Sequence, residues 1–585
     1  MRQDLRFGTI AALLLTALVF SALLLSPTAL RYGHDVFYHL TRTEALYDQL
    51  LRGVWGGPVN YFFFGGAGYA SSACYPDTLL YIPAVLRLLG LNPGQACSAF
   101  TLCCLAASCG TAYWCARRVT GSRWTGAVAA IIYTLCQYKL DCVYTRGAVG
   151  EIQAFIFIPL AMYAVYDLIF QQFRRPALMV LAFGGLMLTH TISLFMAVVI
   201  AAVFCLIFWR RVWPHVPQLA GLALLTLGLT AFFWLPCVEM LLTMPLKAAQ
   251  PWTTAVENAV RPSLLFANVL LGDGKAGLGA ALPLLCLPAL VLFRRQLPPS
   301  VTGAAVEAWE EARHLALISL AAGVLTATAA TTVFPWAHAG FLGVIQFPWR
   351  LYSFASWFLA LGAAGALGCV VALLPAAAAH GRSRHVPLAL TLTVLACMCL
   401  TAWQHYGILP PRYYELPRDY FADPAESVYI GKEEWMPVTV NRDVLRPDDH
   451  RSEDDKGSRL PYTLSADRRV LTLPLDAAAR QWVDVPFVWY RGYTAVFTPA
   501  QGGAAVPLTV TGAGRNGFCR VLLRAENGQA GSVDAGQPDG LGAGTVRVWY
   551  AGTSGQHVAG WLSLASLLAA VWLLWRRGRH ERQKA

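Results

Sequence analysis

Three ionisable side chains follow the first apolar stretch of the chain, which covers residues 8–29. His34 and Asp35 come shortly after this stretch, and His39 lies one helical turn beyond Asp35. A carboxylate at Asp35 could deprotonate an acceptor hydroxyl or hold a divalent cation that neutralises a leaving phosphate, and His39 could share either role. The alternative is structural, because Asp35 could cap an amphipathic helix that runs to Arg52. The sequence supports both interpretations equally.

A second candidate site is the loop Arg146-Gly147-Ala148-Val149-Gly150-Glu151. A guanidinium donates hydrogen bonds in a planar fork, so Arg146 could hold a phosphate. Alternatively, Arg146 and Glu151 form a local ion pair that stabilises the turn. The sequence slightly favours the ion pair.

A third candidate is His190, within Leu188-Thr189-His190-Thr191-Ile192-Ser193. A polar ring in an apolar region is costly in lipid, so it should face the interior of a helical bundle or a cavity. The 34 residues at 176–209 lie between two Arg pairs and are too long for one membrane-crossing helix. We therefore predict two short helices that meet near His190. Hydrogen bonds to neighbouring hydroxyls, made for helix packing, are the alternative role for this side chain.

A fourth candidate is Gln346-Phe347-Pro348-Trp349-Arg350, which opens a later apolar stretch. Arg350 in the first turn of a helix is well placed for a lipid phosphate. Gln346 and Trp349 would then line the same cavity. In the alternative interpretation, Trp349 sits in an interfacial aromatic belt and Arg350 extends toward the headgroups.

The composition indicates which kind of structure must position these residues. The chain has 585 residues, of which 56% are hydrophobic and 13% are charged, and its mean hydropathy is +0.48. These values are typical of an integral membrane protein and not of a soluble one. The net charge of +12 arises from short Arg clusters between apolar stretches, which indicates cytoplasmic anchors and disfavours nucleic-acid binding.

The apolar stretches predict about twelve membrane spans, with both termini in the cytoplasm and Asp35 on the outer face. The predicted spans are 8–29, 95–116, 124–140, 150–170, 177–189, 192–209, 217–235, 277–293, 315–333, 350–375, 386–405 and 557–575. The segment 76–91 is too short to span and is predicted to lie at the outer interface.

The sequence predicts three parts: a bundle at 1–405 with an outer loop at 30–94, a β-rich domain at 406–556, and a last span with a basic tail at 557–585. Alternating apolar residues predict strands at 469–474, 482–490, 506–510 and 545–550 of an antiparallel sandwich outside the cytoplasm. The charged segment 441–460 is predicted to be a mobile loop.

Most of the 15 cysteines fall within or at the ends of apolar stretches, where Cys packs as a small hydrophobic residue. Cys74, Cys142 and Cys519 are predicted to face the outside, where a disulfide among them could form. The sequence does not decide whether it does.

The candidate segments also carry a resemblance when they are taken in order. Gly33-His34-Asp35, the Arg146–Glu151 loop, Leu188-Thr189-His190, Ala231-Phe232-Phe233-Trp234-Leu235-Pro236 and Gln346-Phe347-Pro348-Trp349-Arg350 occur in this sequence. Together they resemble the bacterial polytopic membrane proteins described as 6-pyruvoyl-tetrahydropterin synthase-related, which are similar to YfhO-type proteins and to GT-C glycosyltransferases. Val488-Trp489-Tyr490-Arg491-Gly492-Tyr493 extends the resemblance into the β-rich region.

The resemblance implies a GT-C-like bundle, a lipid-linked sugar donor and an essential Asp in the first outer loop, a position that Asp35 matches. It does not support pterin chemistry, because the chain lacks the clustered His ligands of a zinc-dependent pterin synthase. Many GT-C enzymes have paired acids in this loop, whereas Asp35 is followed by His and aromatic residues, and its use of a metal stays open.

The resulting hypothesis is a bacterial plasma-membrane glycosyltransferase. It would move a sugar from a polyprenyl-phosphate donor to an envelope glycan, lipid or protein. Asp35 and His39 would be catalytic, and Arg146 and Arg350 would bind the donor phosphate. His34, Glu151, His190, Gln346 and Trp349 would line the cavity. The sequence identifies no cofactor, although Asp35 could hold a divalent cation. The alternative is a non-catalytic transporter or scaffold for envelope assembly in the same lipid membrane.

Overall fold

The computed structural model of the protein describes residues 5–250, 252–266, 277–294, 304–373, 385–409, 411–422, 431, 433–442, 445, 450–524 and 541–584. The α-helices in these ranges are, in chain order, α1 Phe7–Ser21, α2 Val36–Leu51, α3 Ser71–Cys74, α4 Tyr81–Leu88, α5 Pro93–Thr120, α6 Arg123–Thr134, α7 Gln137–Asp141, α8 Val149–Phe170, α9 Ala177–Met187, α10 Thr191–Ile207, α11 Trp209–Val212, α12 Val216–Leu229, α13 Ala231–Thr243, α14 Ala255–Asn258, α15 Ala281–Cys286, α16 Ala289–Arg294, α17 Ala304–Ala329, α18 Tyr352–Ala372, α19 His385–Ile408 and α20 Ser554–Lys584.

Within the described residues, seven helical segments are long and apolar enough to cross a membrane. These segments are Pro93–Thr120, Val149–Phe170, Trp209–Leu229, Val306–Ala329, Pro348–Ala372, His385–Ile408 and Ser554–Arg576. Shorter apolar helices include α1, α9, α10 and α13. The prediction of a mainly α-helical, polytopic membrane protein is confirmed.

Three predicted spans are divided or interrupted in the structure, and the first, 8–29, is shorter than predicted, because α1 ends at Ser21. The span at 124–140 is divided into α6 and α7, and the span at 277–293 is divided into α15 and α16. Pro288 stands directly before α16, and a proline removes a helical hydrogen bond and clashes with the preceding turn. The third span, 217–235, is interrupted at Thr230 between α12 and α13.

The contacts within the chain define two compact units, which are described separately. The first contains Met1–Val36, Gly94–Thr226 and Trp252–Leu416. The second contains Phe37–Pro93, Leu227–Pro251 and Pro417–Ala585. The division of the sequence at residues 405 and 556 stays a prediction.

The first unit is a helical bundle whose interior is lined by α6, α8 and α18. Nearly every residue of α6 and most residues of α8 and α18 are buried. Close helix packing depends on small residues, because a Cβ at Gly323 or Gly362 would come within 2.8 Å of a leucine side chain on the facing helix. A short antiparallel pair, β1 Leu30–Arg31 and β2 Tyr413–Tyr414, joins the segments after α1 and α19.

The second unit contains the β-rich region. Its strands are β3 Ser452–Asp454, β4 Arg459–Leu460, β5 Thr463–Leu464, β6 Val470–Asp476, β7 Trp482–Val488, β8 Tyr493–Pro499, β9 Val506–Leu508, β10 Val510–Thr511, β11 Phe518–Leu522 and β12 Ala543–Tyr550. They form two five-stranded antiparallel sheets with the orders β10-β11-β7-β3-β4 and β5-β6-β12-β8-β9.

Alternate residues of these strands enter one shared core, which makes the two sheets a sandwich. Leu471 and Leu473 of β6 are fully buried with Val483 and Val485 of β7, and all four belong to one apolar cluster. This arrangement follows from the two-residue period of β-strands. The predicted antiparallel sandwich is confirmed.

The expectation of a mobile loop at 441–460 is wrong for its second half, where β3 and β4 pair. Asp454 explains why this charged segment is ordered. Its buried carboxylate accepts hydrogen bonds from Arg480 Nε at 2.9 Å and from Ser458 N at 2.8 Å. Residues 443–444 and 446–449 lie outside the described residues.

The second unit also holds α13 and α20, which pack along each other. The Ser563 hydroxyl accepts a hydrogen bond from Phe232 N at 2.8 Å and donates one to Gly228 O at 3.0 Å. These are backbone groups on either side of the interruption at Thr230. Ser563 therefore compensates for the break that divides the predicted span 217–235.

Candidate functional site

The turn that carries Asp35 is fastened by its backbone to the loop that carries Arg146. His34 N donates to Thr145 O at 3.2 Å, and Asp35 N donates to Arg146 O at 2.7 Å. Gly33 makes this approach possible, since a Cβ at Gly33 would lie 2.8 Å from the Gly147 backbone nitrogen. Asp35 is half-buried and His34 is exposed. The Asp35 carboxylate is close enough to Arg146 to interact with it electrostatically.

The Arg146 loop has an unusual backbone that turns its side chain inward. Cys142–Arg146 form one turn of π-helix, which ends at Gly147 in the left-handed region with φ +62°. Turns of this kind occur often at functional sites. The new helix α8 starts at Val149 and places Glu151 in its first turn.

Gly147 therefore gives a testable stability prediction. An alanine at Gly147 would adopt a left-handed conformation, and its Cβ would lie 2.9 Å from Val36 Cβ. We expect Gly147→Ala to lower the free energy of unfolding by more than the roughly 1–2 kcal/mol of left-handed strain alone. Gly121 is the matched control, because it has φ +68° and open space around its Cβ position.

Thermal unfolding of both variants in the same detergent measures the difference. Gly121→Ala should lose only the stability that left-handed strain costs. Gly147→Ala should lose more, because its Cβ would also push the Asp35 turn away from the loop. Equal losses in the two variants would contradict the tight packing of this turn.

Two guanidinium groups converge on the Glu151 carboxylate, which is 3% exposed. Arg146 Nη1 lies 2.7 Å from Glu151 Oε1, and Arg350 Nε lies 3.5 Å from the same oxygen. The other oxygen, Oε2, accepts a hydrogen bond from the Tyr138 hydroxyl at 2.5 Å. Arg146 Nη1 also donates to the Tyr138 hydroxyl at 3.1 Å. The local pair Arg146–Glu151 is thus confirmed, and Arg350 joins it.

Arg350 comes from a short helical turn, Pro348–Leu351, that precedes α18. Its Nη1 donates to Ile345 O at 2.9 Å, and its guanidinium lies 4.8 Å from the centroid of the Phe347 ring. Trp349 is buried, and its ring lies 4.9 Å from the Phe347 ring. Gln346 adopts a positive φ of 57°, and its backbone carbonyl accepts a hydrogen bond from Asn258 Nδ2 at 3.1 Å.

His190 is the N-cap of α10, in the break between α9 and α10. The prediction of two short helices meeting near this residue is confirmed. Its Nδ1 accepts a hydrogen bond from Ser193 N at 3.2 Å and lies 2.8 Å from Ser193 Oγ. Its ring interacts electrostatically with Glu151, Arg350 and Arg146. The structure therefore places His190 within electrostatic range of the three charged residues.

The electrostatic state of the cluster follows from burial and from these neighbours. Burial is the largest single influence on Arg146 and opposes its charge. The Glu151 carboxylate and the other neighbouring groups together outweigh burial and raise the pKa of Arg146 well above its ordinary value. Burial lowers the pKa of His190 to about 3, so the ring is neutral at physiological pH. The cluster thus combines two cations, one anion and a neutral imidazole.

The remaining predicted residues are placed elsewhere or are not tested. His39 belongs to the second unit, where its Nδ1 lies 3.2 Å from Arg42 Nη1 and its ring lies 5.6 Å from the Tyr75 ring. Its joint role with Asp35 stays a prediction. One pocket in the described part of the first unit is apolar and is lined by residues such as Tyr166, Phe204 and Trp357. It includes none of the predicted cavity-lining residues.

Sequence reasoning missed Tyr138 and a neighbouring buried polar group. Asp141 Oδ1 lies 3.3 Å from His405 Nε2, and Gln137 Nε2 lies 2.7 Å from His405 Nδ1. The signal was present, because 137–141 (QYKLD) places several polar residues between apolar stretches. Such residues are expensive in a membrane protein and mark functional or structural polar centres.

Metal binding and disulfide formation find no direct support. The described residues contain no group of three or more His, Cys, Asp or Glu side chains that could hold a metal ion. A divalent cation at Asp35 stays a prediction. Cys74, Cys142 and Cys519 are free, buried thiols. Their position on the outer side of the membrane stays a prediction.

No family model matches the sequence, and no curated protein matches it. The chain is similar to several solved structures at low identity. With the arabinofuranosyltransferase AftD from Mycobacteria it shares 14% identity at a TM-score of 0.44, and the match covers 72% of this chain and 28% of AftD. With ArnT from Cupriavidus metallidurans it shares 14% identity at a TM-score of 0.37, and the match covers 72% of this chain and 77% of ArnT.

A third similar structure is the archaeal oligosaccharyltransferase AglB from Archaeoglobus fulgidus, in complex with an inhibitory peptide and a dolichol-phosphate. The identity is 13% and the TM-score is 0.35, with 68% of this chain and 56% of AglB covered. The chain spans less than a third of AftD and just over half of AglB. At these levels the comparisons do not assign a substrate or a residue role, so both must be argued from the site itself.

Proposed function

We propose that this membrane protein transfers a sugar from a polyprenyl-phosphate carrier to an envelope glycan, lipid or protein acceptor on the outer face. The observation that carries the proposal is the convergence of Arg146 and Arg350 on one buried carboxylate oxygen, next to the turn that carries Asp35. Paired guanidinium groups are the preferred protein ligands of phosphate oxygens. The similar solved structures include enzymes named for glycosyl transfer.

In this proposal Asp35 takes the proton of the acceptor hydroxyl. The acceptor oxygen then forms a bond to the anomeric carbon of the sugar, and the bond from that carbon to the carrier phosphate breaks. The electron pair of the broken bond leaves on the phosphate, where Arg146 and Arg350 stabilise the charge. His34, Glu151, His190, Gln346 and Trp349 would line the donor cavity.

The proposed orientation has both termini in the cytoplasm of a bacterial cell and the β-sandwich outside it, where it would bind the acceptor. This orientation rests on the Arg clusters between the apolar stretches.

Donor binding tests the proposal directly. The probe is the methyl ester of undecaprenyl phosphate, which carries one negative charge, and binding is measured by native mass spectrometry of the protein in lipid nanodiscs. We expect Arg146→Gln and Arg350→Gln each to weaken binding by about tenfold to a hundredfold, since hydrogen bonds to charged groups contribute about 1.5–3 kcal/mol.

The control is Arg313→Gln in the same unit, where Arg313 pairs with Glu310 at 3.0 Å on α17. It should bind the probe as the wild type does. Unchanged binding by both Arg146→Gln and Arg350→Gln would contradict the proposed donor site.

A second candidate function is a non-catalytic transporter or scaffold for envelope assembly. The break between α9 and α10 at His190 favours it, because interrupted helices commonly form substrate sites in transporters. The Asp35→Asn variant separates the two functions. Loss of glycosyl transfer with normal binding of the polyprenyl-phosphate probe supports the glycosyltransferase.

A further inference from the structure

The two guanidinium groups of the candidate site are already partly neutralised by the protein. Glu151 contributes one negative charge at 2.7 Å from Arg146 and 3.5 Å from Arg350. Asp35 adds a half-buried carboxylate that interacts with Arg146. His190 accepts a backbone hydrogen bond through Nδ1 and remains neutral. The largely buried groups Arg146, Arg350 and Glu151 therefore leave one net positive charge for an incoming ligand, while the half-buried Asp35 stays partly in contact with solvent, which screens its charge.

The negative charge of Glu151 acts strongly on the two guanidinium groups, because all three side chains are largely buried. The Glu151 side chain is 3% exposed, and the side chains of Arg146 and Arg350 are 10% and 13% exposed. Charges buried to this extent interact strongly and are poorly screened by salt. Glu151 also cannot turn away easily, because Tyr138 donates a hydrogen bond to its second oxygen.

We infer that Glu151 determines which carrier the site accepts: lipids linked to the sugar through a single phosphate and not through a diphosphate. This inference rests on the proposed function. A phosphodiester carries one negative charge, which balances the one net positive charge of the largely buried groups Arg146, Arg350 and Glu151. A diphosphate diester carries two, and its second charge would be buried beside the Glu151 and Asp35 carboxylates. A buried charge without a partner is strongly unfavourable.

A purely structural role for Glu151 makes a different prediction. If the carboxylate only tied the start of α8 to the Pro348–Leu351 turn, its removal would weaken the binding of both kinds of carrier equally. The ratio of the two affinities is therefore the decisive measurement, since a general loss of structure does not change it.

The test compares two probes, the methyl esters of undecaprenyl phosphate and of undecaprenyl diphosphate, with one and two negative charges. We expect the wild type to bind the monophosphate ester at least tenfold more tightly. Glu151→Gln should reduce this ratio at least tenfold, mainly through tighter binding of the diphosphate ester. Glu151→Asp keeps the charge and should keep the wild-type ratio. Glu310→Gln, which removes a paired carboxylate from the same unit, should also keep it.

The outcomes distinguish this inference from the proposed function. If neither probe binds, or if Arg146→Gln changes neither affinity, the donor site itself fails. If both probes bind through Arg146 and the ratio is the same in the wild type and in Glu151→Gln, only the role of Glu151 fails. If Glu151→Gln does not fold, the inference is tested on the wild type and on Glu151→Asp. A wild type that binds the monophosphate ester less than twofold more tightly than the diphosphate ester overturns the inference.

Discussion

The Asp35→Asn protein is expected to bind the polyprenyl-phosphate probe normally and to lose glycosyl transfer by about a hundredfold to ten-thousandfold, the usual contribution of a general base. Asparagine has the shape of aspartate but cannot accept a proton from an acceptor hydroxyl. The turn should remain in place, because it is held by backbone hydrogen bonds from His34 and Asp35 that the substitution does not touch.

The measurement is the glycan composition of the envelope in cells that carry only the variant, together with the protein level and probe binding. Asp48→Asn is a suitable control, since Asp48 is a partly exposed carboxylate on α2 that pairs with Arg52. Lost glycan with normal binding supports a catalytic Asp35. Unchanged glycan would instead support the transporter or scaffold.

Local features of the fold were accessible from the sequence. The uninterrupted apolar stretches before 170 and after 350 predict α5, α8, α18 and α19, and the alternating residues of 469–474 predict β6. Interruptions were harder to predict, because hydropathy is averaged over about 19 residues and a single Thr230 or Pro288 barely changes the average. The strands β3 and β4 were missed since their order depends on Asp454, whose partner Arg480 lies 26 residues away.

The candidate site shows the same limit. The sequence presents Arg146–Glu151 as either a phosphate ligand or an ion pair, and the structure contains the ion pair with a second cation added. Arg350 lies about 200 residues further along the chain, and no local pattern indicates that it joins Glu151. Tyr138 was missed for a different reason: one Tyr within QYKLD does not indicate which neighbour it will bond.

The burial of this cluster is more informative about function than about stability. Removing two cations and an anion from water costs several kcal/mol per ion, and their mutual attraction often fails to offset that cost. Replacing buried ion pairs by apolar contacts of similar volume often leaves proteins at least as stable. The retention of Arg146, Glu151 and Arg350 in a buried position is therefore consistent with a ligand that needs them.

A second buried ion pair, in the other unit, gives the largest expected effect on stability. Arg87 and Glu44 are each 2% exposed, and both oxygens of Glu44 accept hydrogen bonds from Arg87, at 2.7 and 3.0 Å. The same guanidinium donates to Leu91 O at 2.5 Å and to Arg418 O at 2.8 Å. It thus joins α2, α4 and the segment that begins at Pro417.

We expect Arg87→Ala to lower the free energy of unfolding by about 3–5 kcal/mol, the usual cost of breaking a buried ion pair from one side. The loss arises mainly because the Glu44 carboxylate remains buried without its donor, and two partly buried backbone carbonyls also lose their hydrogen bonds. Arg52→Ala is the matched control: Arg52 also makes a two-pronged contact, with Asp48 at 2.8 and 2.9 Å, but its side chain is 27% exposed. Exposed pairs contribute about 0–1 kcal/mol, so this variant should remain close to the wild type.

Denaturant-induced unfolding of the wild type and both variants in one detergent measures these differences. The double variant Glu44→Leu/Arg87→Met tests the cause, because replacing both charges by apolar side chains of similar size often restores or exceeds the original stability. If the double variant is as unstable as Arg87→Ala, the loss comes from the broken contacts to Leu91 O and Arg418 O and not from a stranded carboxylate. If Arg87→Ala and Arg52→Ala lower the free energy of unfolding by the same amount, burial does not determine how much an ion pair contributes in this protein. The conclusion drawn from the burial of Arg146, Glu151 and Arg350 is then weakened as well.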